Sequence, residues 1–318
     1  MALPDCGFAV QKSPYNAPEH TRNGGPTLQI AYHIGASCTD GERLLKSLLK
    51  NADAFSQQGI KVPGPGKYRR LLRETIQNLG DNDPAPDTRD ILIDAILDED
   101  TATRLVMSHA DFICVPRRIF DNGNFFELIE MKITRLRKLF PGDEIELHLA
   151  LRDPATFVPA VFQKVKGATL AEFLNGMDPR DILWSDVVRR IQAVAPEMPL
   201  TVWCNEDTPL LWAQLIREIS GVDPLTKITG GFDLLSAIMS AEGMKRFVSY
   251  LKTHPPQTEV QKRRIIAAFL DKYALEDEIE EEIDLPGWTA ELMDELTQIY
   301  EDDVFEIARM SGVNFIAP

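Results

Sequence analysis

The chain has 318 residues, 44% hydrophobic and 26% charged, an ordinary globular composition, and a formal net charge of −15. So acidic a chain repels nucleic-acid backbones and anionic membrane surfaces at long range, and none of its apolar runs reaches the ~18 residues of a membrane-crossing helix. Its four cysteines, Cys6, Cys38, Cys114 and Cys204, are widely spaced and form no C-x-x-C pair, which argues against a zinc site or a disulfide framework and for a reducing, cytoplasmic setting.

Residues 1–27 carry Pro4, Pro14, Pro18 and Pro26 and lack a basic start followed by an apolar core, so they read as an irregular arm rather than a signal peptide. Residues 28–34 are the first strong strand, ending at Gly35. A polar stretch over 36–41 leads into a helix predicted over 42–57, with Leu44, Leu45, Leu48, Leu49 and Ala52 on one face and Asp40 as N-cap. Pro63-Gly64-Pro65-Gly66 marks a loop over 61–67, and helices follow over 68–79 and 87–97.

A strand is expected over 104–108, then an amphipathic helix over 125–140 stopped by Pro141-Gly142. Ile145, Leu147, Leu149 and Leu151 alternate along a third strand, and a helix over 154–166 accepts Pro154 in its first turn. Helix 184–195, strand 200–204 and helix 209–220, closed by Gly221, complete the pattern. Alternating strands and helices predict a parallel sheet covered on both faces. After Asp223 no strand is expected; helical patterns run over 232–240, 243–251, 259–275 and 289–311, and the acidic run over 276–284 reads as a solvated helix end or connection. The division is thus an arm over 1–27, an α/β domain over 28–222 and a helical part over 223–318 packed on the same domain.

A glycine-bearing turn between a strand and a helix points backbone N–H groups at one spot, and the helix N-terminus adds partial positive charge; together they bind phosphate or sulfate oxygens. Here that turn reads His33-Ile34-Gly35-Ala36-Ser37-Cys38-Thr39-Asp40-Gly41-Glu42-Arg43-Leu44. It is not a Walker A sequence, because no Gly-Lys-Ser/Thr closes it.

The stretch resembles the opening of bacterial sulfotransferases, H-I-G-x-x-K-T-G-T-[ST]-x-L, at His33, Ile34, Gly35, Thr39 and Leu44. The continuation is similar too, at Asn51, Ala52 and Gln58-Gly59-Ile60-Lys61-Val62-Pro63. Arg152-Asp153-Pro154 resembles the family's second element, R-[DN]-P, although Ala160 and Phe162 stand where its serine and tyrosine are expected. Trp288, Tyr300, Asp303, Gly312, Val313 and Phe315 resemble its closing pattern.

The resemblance implies a three-layer parallel sheet of P-loop/sulfotransferase type, with 3′-phosphoadenosine-5′-phosphosulfate as donor, no metal, and a small-molecule or glycan acceptor. The residues it implies around the donor are Gly35, Ala36, Ser37, Cys38, Thr39, Asp40 and Gly41, with Arg43 one turn into the helix and Arg152 on the 3′-phosphate. The departures fall on the charge: Cys38 occupies the lysine position, and Asp40 adds negative charge where Gly-Thr is usual.

Transfer to a hydroxyl needs a base. His109, just after the second strand, and Glu206, just after the fourth, are the candidates; His33 reads as a core histidine, and Glu127 and Glu130 as solvated helix carboxylates. The basic runs over 67–73 and 262–264 read as solvated helix faces, and Trp203 and Trp212 as core. Two functions stay open: a sulfotransferase, or an inactive sulfotransferase-like protein that binds an anion or a protein partner. A third, a cysteine-dependent transferase, would use Cys38 as nucleophile.

Overall fold

The structure, a computed structural model, describes residues 27–80, 82–97, 101–279 and 283–318. Six strands, β1 (Gln29–His33), β2 (Ile60–Lys61), β3 (Arg104–Ser108), β4 (Glu144–Leu151), β5 (Leu200–Cys204) and β6 (Val313–Ile316), form one all-parallel sheet in the order β2-β3-β1-β4-β5-β6. The predicted arm lies outside the described residues except for its last residue.

The helices, in chain order, are α1 (Arg43–Lys50), α2 (Ala52–Ser56), α3 (Pro65–Leu79), α4 (Thr88–Ile96), α5 (Ile129–Lys138), α6 (Pro154–Phe162) and α7 (Leu170–Leu174). They continue with α8 (Trp184–Val194), α9 (Thr208–Ser220), α10 (Asp233–Ile238), α11 (Ala241–Thr253), α12 (Glu259–Tyr273), α13 (Glu276–Ile279) and α14 (Ala290–Ile307).

The period-two alternation of the strands sorts the core into two layers. Ile30, Tyr32, Leu105, Met107, Leu147 and Leu149 face one side, against α3, α4, α5, α6, α8 and α14. Ala31, Val106, Ala150 and Trp203 face the other, against α1 and α9. Both faces being covered, the central strands are buried along their length, the condition under which parallel sheets are stable. A smaller apolar cluster of Leu235, Ile238, Met239, Phe247 and Ile266 unites α10, α11 and α12.

Four expectations are corrected. A strand does exist after Asp223: β6 pairs with β5 from Leu200–Val313 to Trp203–Ile316. It is a four-residue edge strand with one buried residue, so it carries no readable alternation. The two-residue β2 lies at the start of a stretch expected to be loop. The helix expected over 42–57 breaks at Asn51, whose side-chain amide donates to the carbonyls of Ser47 (2.8 Å) and Thr229 (2.9 Å) while its Oδ1 accepts from Thr229 N–H (2.8 Å). The helix expected from 125 begins at Ile129, because Phe126 sits in the left-handed region (φ 51°) and both phenylalanines turn into the core.

The topology positions a site. The chain leaves β1 for one edge, returns to β3 beside β1, and then crosses to β4 on the other side of β1. In an open α/β sheet the crevice beyond the carboxyl ends of the strands, where the connections diverge, is where ligands bind. Here that point is the end of β1.

Candidate functional site

Beyond His33 the chain keeps its ladder with β4: Ile34 N–H donates to His148 O (2.9 Å), Ala150 N–H to Gly35 O (2.8 Å) and Ala36 N–H to Ala150 O (3.1 Å). Gly35 has φ 114°, and a Cβ there would lie 3.0 Å from the Ala110 carbonyl oxygen, so the close approach of the segment after β3 requires glycine. The chain then curls. Cys38 (φ 59°), Gly41 (φ 57°) and Glu42 (φ 67°) are all left-handed, the kind of turn that aims successive amides into a concavity. The amides of residues 37–41 find no acceptor among the described residues, whereas that of Ala36 is spent on the sheet.

Side chains hold the curl. Thr39 Oγ1 donates to Ala36 O (2.8 Å), and Ser37 Oγ donates to Asp111 Oδ1 (3.2 Å) on the segment after β3. Asp40 Oδ2 accepts from Leu44 N–H in the first turn of α1 (2.8 Å), although the N-cap position expected for Asp40 is taken by Glu42. Glu42 pairs with Arg69 of α3 (2.7 Å), which also donates to Ser108 O (2.8 Å). Arg43 is exposed on the first turn of α1.

Arg152 follows β4 and lies against this loop. Its Nη1 donates to the Cys38 carbonyl and its Nε to Thr156 Oγ1 (3.0 Å), while Trp184 Nε1 donates to its carbonyl (2.8 Å). A layer behind it braces the arginine. Asp153 caps α6 through Ala155 N–H (2.8 Å), and its other oxygen accepts from Thr297 Oγ1 of α14 (2.6 Å). Glu206 Oε1 accepts from Asp153 N–H (3.0 Å) and its Oε2 from Tyr300 Oη (3.0 Å). Burial pushes the Glu206 carboxyl up, with both oxygens already engaged. Its placement is that of a clip between β4, β5 and α14.

His109 stands at the end of β3, its N–H donating to His33 O (3.0 Å) and its ring edge-on to Phe112 at 5.4 Å. Its Nδ1 is buried without a partner among the described residues. Burial first, and then the charges of Arg69 and Arg73, lower its pKa, so the imidazole is neutral at pH 7 and able to take a proton. His33 is a core residue as expected: Nδ1 lies 2.8 Å from Ser108 Oγ, and the ring stacks on Trp203.

The structure therefore brings the 35–41 loop, Arg152 and His109 to adjacent strand ends, sets Glu206 behind Arg152, and leaves Arg43 at the rim. Sequence reading missed Trp184, which holds the Arg152 carbonyl, and Thr297, which holds Asp153; neither carries a local signal, since both arrive only through tertiary packing. Of the run over 67–73, expected to be a solvated face, Arg70 and Arg73 are exposed, whereas Arg69 is partly buried and, with Arg73, lines a cavity beside His109. The thiols of Cys114 and Cys204 are pushed up to about 12, first by burial, as befits core cysteines.

Among the described residues no group of three or more His, Cys, Asp or Glu side chains could hold a metal ion, and no helix is long and apolar enough to cross a membrane. Neither a protein-family model nor a curated protein matches the chain.

Proposed function

We propose that the chain is a P-loop-type, sulfotransferase-like enzyme that moves a sulfuryl group from 3′-phosphoadenosine-5′-phosphosulfate to the hydroxyl of a small acceptor. The observation that carries this reading is the closure of the loop after β1 onto Arg152 at the divergence point of the sheet, with the amides of residues 37–41 unspent. Five such amides at the start of an eight-residue helix fit an anionic group. The guanidinium of Arg152 fits a second phosphate better than an ammonium would, because its fork matches two oxygens.

A bound donor supplies the sulfuryl group; the chain supplies position and a base. The loop amides orient the phosphosulfate end, Arg152 the 3′-phosphate end, and neutral His109 accepts the proton that the acceptor hydroxyl loses as its oxygen bonds to sulfur and the sulfur–oxygen bond to phosphate breaks. Cys38 offers no fixed cation for the leaving group, so the α1 N-terminus and the amides carry that charge.

A second reading, an anion-binding protein without chemistry or one that docks a protein partner, is favoured by one feature: Asp40 sits in the loop itself. A like charge at roughly 6 Å and an effective dielectric of ~40 costs about 1.4 kcal/mol. The two readings separate in a transfer assay with labelled donor and a panel of hydroxylated acceptors. The enzyme reading predicts turnover that falls about 10²–10⁴-fold in His109→Ala with nucleotide affinity unchanged. Nucleotide binding without turnover on any acceptor would leave the second reading in its place.

A further inference from the structure

Between α3, α5 and the segment after β3 lies a cavity of about 290 Å³. Its charged lining is Arg69, Arg73, Arg118, Lys132 and Asp111, and His109 opens onto it. Two of the four cations are spoken for: Arg69 by Glu42 and the Ser108 carbonyl, Arg118 by Asp121 at 2.6 Å. The side chains of Arg73 and Lys132 have no ion pair or hydrogen bond among the described residues. Lys132 is half-buried, and burial lowers its pKa, helped by the charges of Arg135, Arg118 and Arg73. A partly desolvated ammonium beside Arg73, an exposed cation whose side chain has no partner among the described residues, offers an outside anion a place in a chain of net charge −15.

A second cavity, of about 840 Å³ at the amino-terminal ends of the central strands, makes the contrast. There Arg104 pairs with Glu146, Arg137 with Glu197 (2.9 Å), Lys138 with Asp83 (2.6 Å) and Arg217 with Glu259 (3.2 Å). That cavity is internally neutralised and asks for no anion; the smaller one does.

The smaller cavity is also polarised. Asp111 acts on His109, and Arg73 acts on both His109 and Lys132. Ile76, Phe112 and Leu128 supply apolar wall. Asp111 is tied to the 35–41 loop through Ser37, so the His109 end faces the site already described. The volume lies at the lower limit for small-molecule sites, which excludes a sugar chain and suits a ligand of one ring.

We propose that this cavity is the acceptor site and takes a small hydroxylated organic acid, its carboxylate between Arg73 and Lys132 and its hydroxyl toward His109. The acceptor role rests on the sulfuryl-transfer reading; the anion site does not.

The test is calorimetry on the full chain with para-hydroxybenzoate and its neutral isostere para-hydroxybenzamide, alongside 3′-phosphoadenosine-5′-phosphate. The acid should bind at least about tenfold more tightly than the amide. Lys132→Met and Arg73→Gln should each erase that preference, and Lys132→Arg should keep most of it. Both variants change side chains that are partly exposed, and Lys132→Gln replaces the methionine variant if that one fails to fold. Equal binding of acid and amide, a preference that survives both substitutions, or no binding of the acid overturns the proposal. The nucleotide titration reports separately on the loop: acid binding with no nucleotide binding would keep the anion site and overturn its acceptor role.

Discussion

Asp40 is the residue on which the charge balance of the loop turns, and Asp40→Asn changes that balance while sparing the fold. Its Oδ2 caps α1 by accepting from Leu44 N–H at 2.8 Å, and asparagine caps about as well as aspartate. The fold loses only the attraction of a carboxylate for the helix N-terminus, about 0.3–1 kcal/mol. The ligand gains more. A phosphate in the loop lies roughly 6 Å from this carboxylate, and at an effective dielectric of ~40 the repulsion removed is about 1.4 kcal/mol, a tenfold gain in affinity. The gain should shrink with salt, since the screening length falls from ~10 Å at 0.1 M to ~3 Å at 1 M. Calorimetric titration with 3′-phosphoadenosine-5′-phosphate at the two salt concentrations reads this directly. Affinity that stays within twofold of the parent at low salt, or weakens, would refute the placement of the anion in the loop.

The bracing layer predicts a stability loss. Tyr300→Phe leaves Glu206 Oε2 buried without its donor and should cost about 1–2 kcal/mol in chemical denaturation, against which an unchanged midpoint would count. Toward the amino-terminal end of β4, burial alone would raise Glu146, but the hydrogen bond from His148 and the charge of Arg104 bring it down to about 2. A depressed carboxyl stabilises the fold above its unfolded value near 4.5 and loses that contribution as pH falls toward 2. Glu146→Gln should therefore lower stability at neutral pH, on the order of 1–3 kcal/mol, and flatten the curve in that acid window; a parental slope there would contradict it. Because His109 is lowered from its ordinary 6.5, the acid limb of the transfer rate should lie below that pH, with a plateau above it. A limb above pH 7 would assign the base elsewhere.

How much of this was legible in the sequence follows from where the information sits. The strands β1, β3 and β5 are short, largely apolar runs and β4 alternates Ile145, Leu147, Leu149 and Leu151, so run length and periodicity reveal them. The edge strand β6 buries one residue of four, and no local pattern marks it. The break at Asn51 depends on a partner 178 residues away, at Thr229, which no window of sequence contains. The loop and Arg152 were readable because their residue types recur at fixed spacing after strands. Lys132 and Arg73 were not, because each sits on a helix whose outward pattern is that of a solvated face. Only the packing of α3 and α5 around the segment after β3 brings the half-buried Lys132 and the exposed Arg73 to the rim of one cavity.

The central claim is that the curled backbone after β1, with Arg152 beside it, holds a nucleotide carrying two phosphates. Titrating the full chain with 3′-phosphoadenosine-5′-phosphate tests it most directly. The account predicts saturable binding in the micromolar range that weakens more than about tenfold in Arg152→Lys, which keeps the charge but loses the two-pronged fork. No heat at high-micromolar nucleotide, or equal affinity in the lysine variant, would contradict it.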